Sequence, residues 1–378
     1  MVDVRKLALS VLYTAKIKVS LAKLRLGKKL GLIRSVMIVP YQGFGNKKEL
    51  FFPGRVLRDR GIGLSGLEDS KWRNFSRMYK RFMTWEIPFV RVNASVDGLN
   101  LISKTDEEGY FKFNILLGDG SQVVTPWHDI KLTLVDKVLK SNKEVNAVTR
   151  IFIVSENTKY GIISDIDDTI VPTGATRFWE MFKLTFFNNA HSRIPFPGVS
   201  AFYQALATGT SGLDYNPFFY VSSSPWNLYD FLMEFMEVHK IPRGPLMLRD
   251  IGLSREYLFA GKHSVHKLLQ VERIFKIITD IPFILIGDSG QHDAEIYLQV
   301  VKDFPGRVKM IYIRDVDDQS HEKVLKIAHD VKKLGVEMML VKDTVDAAQH
   351  AVSKRWIAEN DVWNVAEIKA EEEAEGVA

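Results

Sequence analysis

Two clusters of aspartates follow short apolar runs that have the composition of buried strands. Asp165, Asp167 and Asp168 come directly after residues 161–164, and Asp288 and Asp293 come after residues 283–286. Carboxylates this close together repel one another by several kcal/mol unless a cation neutralises them. A hard dication such as Mg²⁺ takes oxygen ligands and leaves positions for water and phosphate, so the clusters indicate a magnesium site.

A third apolar run, residues 218–221, ends in Ser222-Ser223-Ser224-Pro225. Ser224 suits a helix N-cap and Pro225 suits the first helical position, so hydroxyls and free N–H groups are expected there, as in a phosphate site. Lys267 lies near the start of a later predicted helix and would bring a cation to the phosphate. Lys262, slightly earlier in the chain, is the alternative for this role.

The elements that must position these residues are predicted from residue 160 onward, where short apolar runs alternate with helical patterns. The predicted strands are 161–164, 218–221, 283–286, 308–313 and 338–341. The predicted helices are 199–207, 228–239, 265–278, 294–304, 322–334 and 344–356. This alternation is typical of βαβ units around a parallel sheet. Because the carboxyl ends of parallel strands lie at one edge, both aspartate clusters are expected to share one metal.

Residues 35–158 are predicted to be β structure instead. Short β-rich runs occur there between turn residues, at 36–41, 50–57, 89–96, 110–116, 130–135 and 148–154. This spacing favours a β-sandwich.

Composition and charge narrow the function classes. The chain has 378 residues and no cysteine, which excludes disulfides, zinc-thiolate sites and a cysteine nucleophile. Residues 1–34 hold nine basic residues and one acid, a net +8, against +5 for the whole chain, so the remainder carries 5 − 8 = −3. This distribution argues against nucleic acid as a partner and favours an anionic membrane surface at residues 1–34.

Neither end of the chain shows the pattern of a clean amphipathic helix. Ile17, Val19 and Leu21 alternate as in a strand, so membrane contact by residues 1–34 is expected to rest on charge more than on a hydrophobic helix face. A cleaved signal or an organelle-targeting peptide is the alternative for this segment. Residues 367–375 are expected to be a disordered acidic tail. No apolar run is long enough to cross a bilayer, and we expect a cytoplasmic protein with peripheral membrane attachment as an option.

The order of these motifs resembles the haloacid dehalogenase superfamily: D-x-D-x-T at 165–169, a serine after an apolar strand, a lysine, and G-D-x-x-x-x-D at 287–293. The segment 220–229 resembles the actin-patch-associated phosphatidate phosphatase branch of this superfamily, and the resemblance covers residues 158–358. It implies a Rossmann-like three-layer parallel sheet preceded by an all-β, sandwich-like domain. The implied domains are 1–34, a basic segment; 35–158, the sandwich; 159–358, the phosphatase; and 359–378, the acidic tail.

The resemblance also implies a role for each motif residue. Asp165 would be the nucleophile, Asp167 the general acid and base, and Lys267 would orient Asp165, whereas the role of Asp168 stays open. The implied phosphate-binding residues are Ser222, Ser223 and Lys267. The implied Mg²⁺ ligands are Asp165, Asp288, the main-chain carbonyl of Asp167 and, in support, Asp293.

The predicted function is therefore that of a Mg²⁺-dependent phosphatase acting through an aspartyl-phosphate, with a phosphorylated lipid, phosphatidate, as substrate and diacylglycerol as product. A phosphatase for a soluble ester and a catalytically silent membrane or cytoskeletal adaptor are the alternatives. An aromatic pattern at 178–187 has helical spacing. It is interpreted as core, with an acyl-chain entry or a membrane contact as the alternative.

Overall fold

The computed structural model describes residues 4–59, 85–139, 144–167, 169–170, 196–249 and 263–376. These residues divide into two compact units, one ending at Ser155 and the other beginning at Glu156. The aromatic pattern at 178–187, Lys262 and Asp168 lie outside the described residues.

Among its described residues, the first unit contains helix α1 (Val4–Lys29) and eight strands. The strands are β1 (Val36–Pro40), β2 (Gly43–Gly45), β3 (Glu49–Arg58), β4 (Arg91–Val96), β5 (Leu99–Lys104), β6 (Tyr110–Leu116), β7 (Trp127–Leu134) and β8 (Asn146–Ile153). They form one sheet in the order β1-β3-β2-β8-β7-β4-β5, and β6 pairs with β3. Among the strand pairs that the structure describes in this unit, only β2 and β8 run parallel.

Alternating burial explains the core of this unit. In β6 the side chains of Phe111, Phe113 and Ile115 are buried while the residues between them are exposed or half-buried. The buried set packs against apolar residues of neighbouring strands, as where the rings of Phe52 and Phe113 stack 4.9 Å apart. The predicted β structure of this region is confirmed, and strands β2 and β5 add to it.

The second unit contains six strands and seven helices among its described residues. In chain order they are β9 (Gly161–Asp165), α2 (Val199–Thr208), β10 (Phe218–Pro225), α3 (Tyr229–Val238), β11 (Leu246–Arg249), α4 (His263–Ile277), β12 (Phe283–Asp288), α5 (Asp293–Asp303), β13 (Val308–Arg314), α6 (His321–Lys333), β14 (Glu337–Val341), α7 (Thr344–Ser353) and α8 (Glu359–Gly376). A short 3₁₀ turn, Trp226–Leu228, joins β10 to α3. The predicted alternation of strands and helices is confirmed.

All strands of the second sheet run parallel, in the order β11-β10-β9-β12-β13-β14. Strands β9 and β12 are buried at every residue, which accounts for their continuous apolar runs. From β9 the chain builds β10 on one side and, later, β12 on the other. Such a reversal of strand order opens a crevice at the carboxyl ends of the central strands.

Two segments differ from their predictions. The strand-like conformation suggested by the alternation near Ile17 is not found, because residues 4–29 form helix α1. Its apolar residues lie on two sides: Leu24 packs against the β core, whereas Val19 is exposed, so no single helical period appears in the sequence. The disordered tail is also wrong, since helix α8 buries Val365 and Glu372 accepts a 2.7 Å hydrogen bond from the N–H of Gly198.

None of the described helices combines the length and the apolar character that spanning a bilayer requires.

Candidate active site

The carboxyl ends of β9, β10 and β12 carry the polar side chains of the site. Asp165 is the last residue of β9 and lies opposite the β10 residue that precedes Ser222. On its other side, β9 pairs with β12, which ends at Asp288. The parallel register therefore brings residues from three distant parts of the chain to one edge of the sheet.

Three carboxylates form a buried cluster at this edge. One oxygen each of Asp165, Asp288 and Asp293 lies within 4.8 Å of the others. Asp293 is the first residue of α5, and its Oδ2 accepts a 3.2 Å hydrogen bond from the N–H of Asp288. Gly287 makes room for this arrangement, because a Cβ atom there would lie 2.6 Å from Asp293 Oδ2. Asp165, Asp288 and Asp293 are at most 1 % exposed.

Lys267, from the second turn of α4, is the cation of the cluster. Its Nζ lies 2.8 Å from Asp165 Oδ1 and 2.7 Å from Asp293 Oδ1. Burial alone would lower the pKa of Lys267, but the attraction of Asp165, Asp293 and Asp288 outweighs burial and raises it, so the ammonium group stays charged. Among the described residues, one ammonium group faces three carboxylates, which leaves two negative charges uncompensated if all three acids are ionised.

The pKa of Asp165 shows that Lys267 does not fully compensate the negative charge around it. Burial raises the pKa of the Asp165 carboxyl well above its usual value; Lys267 opposes this shift, and the carboxylates of Asp293, Asp167 and Asp288 add to it. Asp165 Oδ2 is buried and accepts no hydrogen bond from any residue in the described part of the chain. A buried carboxylate oxygen without such a donor is costly.

These residues fit a hard divalent cation. The donors are carboxylate oxygens on closely spaced side chains, and excess negative charge surrounds them. A cation there would neutralise that charge and supply the missing partner of Asp165 Oδ2. The buried aspartate cluster could therefore bind a metal ion.

Asp167 faces a different set of partners. Its Oδ2 accepts a 2.7 Å hydrogen bond from Ser222 Oγ, and Ser224 Oγ donates to both of its carboxylate oxygens over 3.2 and 3.3 Å. The Asp167 side chain is thus held by two hydroxyls of β10 and is not one of the three acids in the carboxylate cluster.

The predicted N-cap role of Ser224 is wrong. Strand β10 continues to Pro225, which caps the following turn without a side-chain hydrogen bond, and the Ser224 hydroxyl turns to Asp167 instead. Ser223, also predicted to bind phosphate, is half-buried between them. No hydrogen bond joins its side chain to another site residue among those described. Its assignment stays a prediction.

Gln291 is the site residue that the sequence analysis missed. Its Oε1 accepts a 3.1 Å hydrogen bond from Lys267 Nζ, and its Nε2 donates to the main-chain oxygen of Asp167 over 3.3 Å. Its own N–H donates to Asp288 Oδ1 over 2.7 Å. The only signal in the sequence is its position inside the loop between Asp288 and Asp293.

Comparison with known families places this site in a recognised domain. Residues 160–315 match the family model described as "Phosphatidate phosphatase APP1, catalytic domain". The matched range contains every site residue described above, namely Asp165, Asp167, Ser222, Ser223, Ser224, Lys267, Asp288, Gln291 and Asp293.

Two curated fungal proteins are similar to part of the chain. Phosphatidate phosphatase APP1 of Saccharomyces cerevisiae is 31 % identical over 193 residues, covering 49 % of this chain and 32 % of that protein. Uncharacterized protein C29B5.04c of Schizosaccharomyces pombe is 26 % identical over 223 residues, covering 56 % of this chain and 34 % of that protein. The chain thus spans about a third of the length of the curated relatives it matches.

A carbohydrate acetylesterase, XAC1771 of Xanthomonas citri, has 10 % sequence identity and a TM-score of 0.26, covering 80 % of this chain and 66 % of that chain.

Proposed function

We propose a function from the premise that residues 160–315 of this chain form a catalytic domain of the family described as phosphatidate phosphatase APP1. We infer that the chain is a Mg²⁺-dependent phosphatase that hydrolyses a phosphomonoester, with phosphatidate as substrate and diacylglycerol as product. The observation that supports this most directly is the buried 2.8 Å contact between Asp165 and Lys267, beside the carboxylates of Asp288 and Asp293.

Asp165 is the proposed nucleophile. One of its carboxylate oxygens attacks phosphorus, the bond from phosphorus to the ester oxygen breaks, and an aspartyl-phosphate forms. The electron pair of the broken bond leaves with the ester oxygen. Lys267 Nζ lies 2.8 Å from Oδ1 of Asp165 and orients the carboxylate for this attack.

Asp167 is the proposed general acid and base. In its protonated form it gives a proton to the leaving ester oxygen. As a carboxylate it then takes a proton from the water that attacks the aspartyl-phosphate, which releases phosphate and restores Asp165. Hydroxyl donors stabilise the carboxylate form, so the bonds from Ser222 and Ser224 suit the second of these steps.

Ser222, Ser223 and Lys267 are the proposed ligands of the phosphoryl oxygens. Lys267 supplies a fixed positive charge where negative charge accumulates during transfer. Ser222 must exchange its bond to Asp167 for one to the substrate, so phosphate binding removes one of the two hydroxyl donors that hold the Asp167 carboxylate.

The metal ligands are proposed to be Asp165, Asp288, the main-chain oxygen of Asp167 and, in support, Asp293. Bound Mg²⁺ would neutralise negative charge on the phosphoryl group. The chain's own part is to hold the carboxylates of Asp165, Asp288 and Asp293 close together at a buried edge of the sheet.

We also propose how the two units are built. The all-parallel sheet and the reversal of strand order at β9 support a Rossmann-like three-layer domain of the haloacid dehalogenase type over residues 159–358. The antiparallel pairing of the first unit supports a sandwich-like domain over residues 35–158. A lipid substrate lies in a bilayer, so we propose that the protein attaches peripherally to a membrane surface.

Phosphate release from phosphatidate in phosphatidylcholine vesicles tests the proposal, compared with soluble esters such as glycerol 3-phosphate, with and without Mg²⁺. The wild type should hydrolyse phosphatidate only with Mg²⁺. Asp165→Asn is isosteric but cannot form the acyl phosphate, so its rate should fall by at least about a thousandfold. Asp318→Asn, an exposed acid of the same unit, is the matched control and should leave the rate unchanged.

Each contrary outcome contradicts a different part of the proposal. Asp165→Asn activity within about tenfold of wild type would exclude Asp165 as nucleophile. Equal rates on soluble esters would indicate a soluble substrate. No release from any ester by folded wild type would indicate an adaptor.

A further inference from the structure

Helix α1 is fixed to the β-rich unit by one of its faces. Tyr13 Oη donates a 3.1 Å hydrogen bond to Glu107 Oε2, and Ser20 Oγ donates a 2.6 Å bond to the main-chain oxygen of Glu107. Gly27 lies so close to the ring of Trp85 that a Cβ atom there would be 1.9 Å from it. These contacts set which side of the helix is left to face outward.

The outward side carries a line of apolar residues. Val19 is 66 % exposed and Leu26 is 55 % exposed, and Leu30, just beyond the helix, is 60 % exposed. Ala15 and Ala22, also exposed, lie between and beside them at spacings of three and four residues, so the five form one stripe. We call Ala15, Val19, Ala22, Leu26 and Leu30 the apolar stripe.

Basic residues border the apolar stripe. Lys18, Arg25 and Lys29 repeat with the spacing of the stripe itself and therefore follow one of its edges. None of the three forms an ion pair with a residue that the structure describes, whereas Lys16 and Lys23 pair with acids of the β-rich unit. Residues 13–35 contain no acid, so nothing within the segment offsets this charge.

We propose that α1 is an interfacial helix that docks the protein on an anionic lipid bilayer. The apolar stripe would enter the boundary between head groups and acyl chains, and Lys18, Arg25 and Lys29 would contact lipid phosphates. An exposed apolar line with a basic border is the pattern of helices that lie in the plane of a membrane. The sequence predicts a contact that rests on charge more than on a hydrophobic face, and the outward apolar side chains of α1 strengthen the hydrophobic component.

Two sets of variants separate the two components. A stripe variant, Val19→Gln with Leu26→Gln, removes the apolar contact, and a charge variant, Lys18→Gln with Arg25→Gln and Lys29→Gln, removes the basic edge. Glutamine is a good helix former, so α1 should persist, which circular dichroism checks. The matched controls change exposed residues elsewhere: Leu99→Gln with Ile102→Gln, and Lys131→Gln with Lys326→Gln and Lys332→Gln.

Binding is measured by co-sedimentation with phosphatidylcholine vesicles that contain phosphatidylserine but no phosphatidate. Without phosphatidate, neither catalysis nor substrate binding contributes, so failure here is independent of the proposed activity. The wild type should bind these vesicles and not pure phosphatidylcholine. Each α1 variant should weaken binding by at least about tenfold, and the controls should stay within about twofold. Added salt should weaken the wild type more than the charge variant.

Three results would overturn the proposal: a stripe variant that binds as the wild type does, a charge variant that does so, or equal binding to neutral and anionic vesicles. A second measurement does not depend on a loss of binding. In Leu26→Trp, the emission of the added indole should shift to the blue with anionic vesicles, relative to the wild type. Absence of that shift would contradict insertion of the stripe.

Discussion

Gln291 Nε2 donates a hydrogen bond of 3.3 Å to the main-chain oxygen of Asp167. The same side chain accepts a bond from Lys267, so one amide connects the loop after β9 with the lysine of α4. That main-chain oxygen is also a proposed ligand of Mg²⁺. Gln291 is thus a positioning residue between the proposed acid and base, the cation and the metal site.

Gln291→Ala should lower phosphatase activity by about 10- to 100-fold, as is typical when a side chain that orients catalytic or metal-binding groups is removed. The fold should persist, because the main-chain N–H of residue 291 still donates to Asp288. The measurement is the rate as a function of Mg²⁺ concentration, and a higher Mg²⁺ requirement is expected. Gln299→Ala, which alters an exposed amide of α5, is the control. Unchanged kinetics and Mg²⁺ dependence would contradict the positioning role.

Asp288→Ala should raise the Mg²⁺ concentration needed for half-maximal activity and lower the maximal rate. The removed carboxylate is one of the three that lie within 4.8 Å of one another, and its loss weakens the hold on the cation. Isothermal titration with Mg²⁺ measures the binding without turnover. An unchanged titration would move the metal site away from this cluster.

Gly287→Ala should disturb the site although it replaces no charged residue. The added Cβ would lie 2.6 Å from Asp293 Oδ2 and 2.7 Å from Asp293 Cβ, so Asp293, which pairs with Lys267, must shift. Overpacking of this kind costs about 1–3 kcal/mol in the free energy of unfolding, and activity should fall with it. Denaturant unfolding and the phosphatase assay measure the two effects. Gly118→Ala, which has open space around its Cβ position, should change neither.

Asp106→Asn should stabilise the first unit at neutral pH. Burial raises the pKa of Asp106 to about 6, although the N–H groups of Tyr110 and Glu108 oppose the shift. The folded pKa thus lies above the unfolded value of about 3.9, so the contribution of Asp106 to stability is complete below pH 4 and is lost as pH rises through 6. At pH 8 the ionised group costs up to about 3 kcal/mol. Asparagine keeps an oxygen that accepts both N–H bonds and carries no charge.

The measurement for Asp106 is the free energy of unfolding between pH 4 and pH 8, in the wild type and in Asp106→Asn. The wild type should lose stability across this range relative to the variant. Asp119→Asn, in an exposed turn, should follow the wild type. A variant that is less stable than the wild type at pH 8 would show that the charge of Asp106 is compensated in the fold.

Strands were predictable where burial leaves a periodic or continuous apolar pattern. Residues 110–116 alternate between buried and exposed and were predicted with the bounds of β6. β11 was missed, because four residues after a proline give too short a pattern to distinguish from a loop. Strand β5 was missed because none of its residues is fully buried, although the Asp97-Gly98 turn before it, with both φ angles positive, is a strong hairpin signal.

In the candidate site, too, the predictable residues are those that belong to a recognisable sequence pattern. Asp165, Lys267, Asp288 and Asp293 were predicted to act together from their motif order, and the structure brings their side chains into contact. The partners of Asp167 were not predictable in this way. Ser224 reaches Asp167 only because β10 runs on to Pro225, and an amide such as Gln291 leaves no periodic or charge pattern in a loop.

The position of β9 in its sheet has a consequence for biosynthesis. β9 is a central strand with β10 on one side and β12 on the other, and β12 leaves the ribosome only after β10, α3, β11 and α4. Until then one edge of β9, an apolar strand that ends in Asp165, has no partner. An unpaired apolar edge is a template for wrong pairing between chains, so the nascent protein passes through an aggregation-prone interval that closes when β12 inserts. The carboxylate cluster is completed only after this insertion, when α5 adds Asp293.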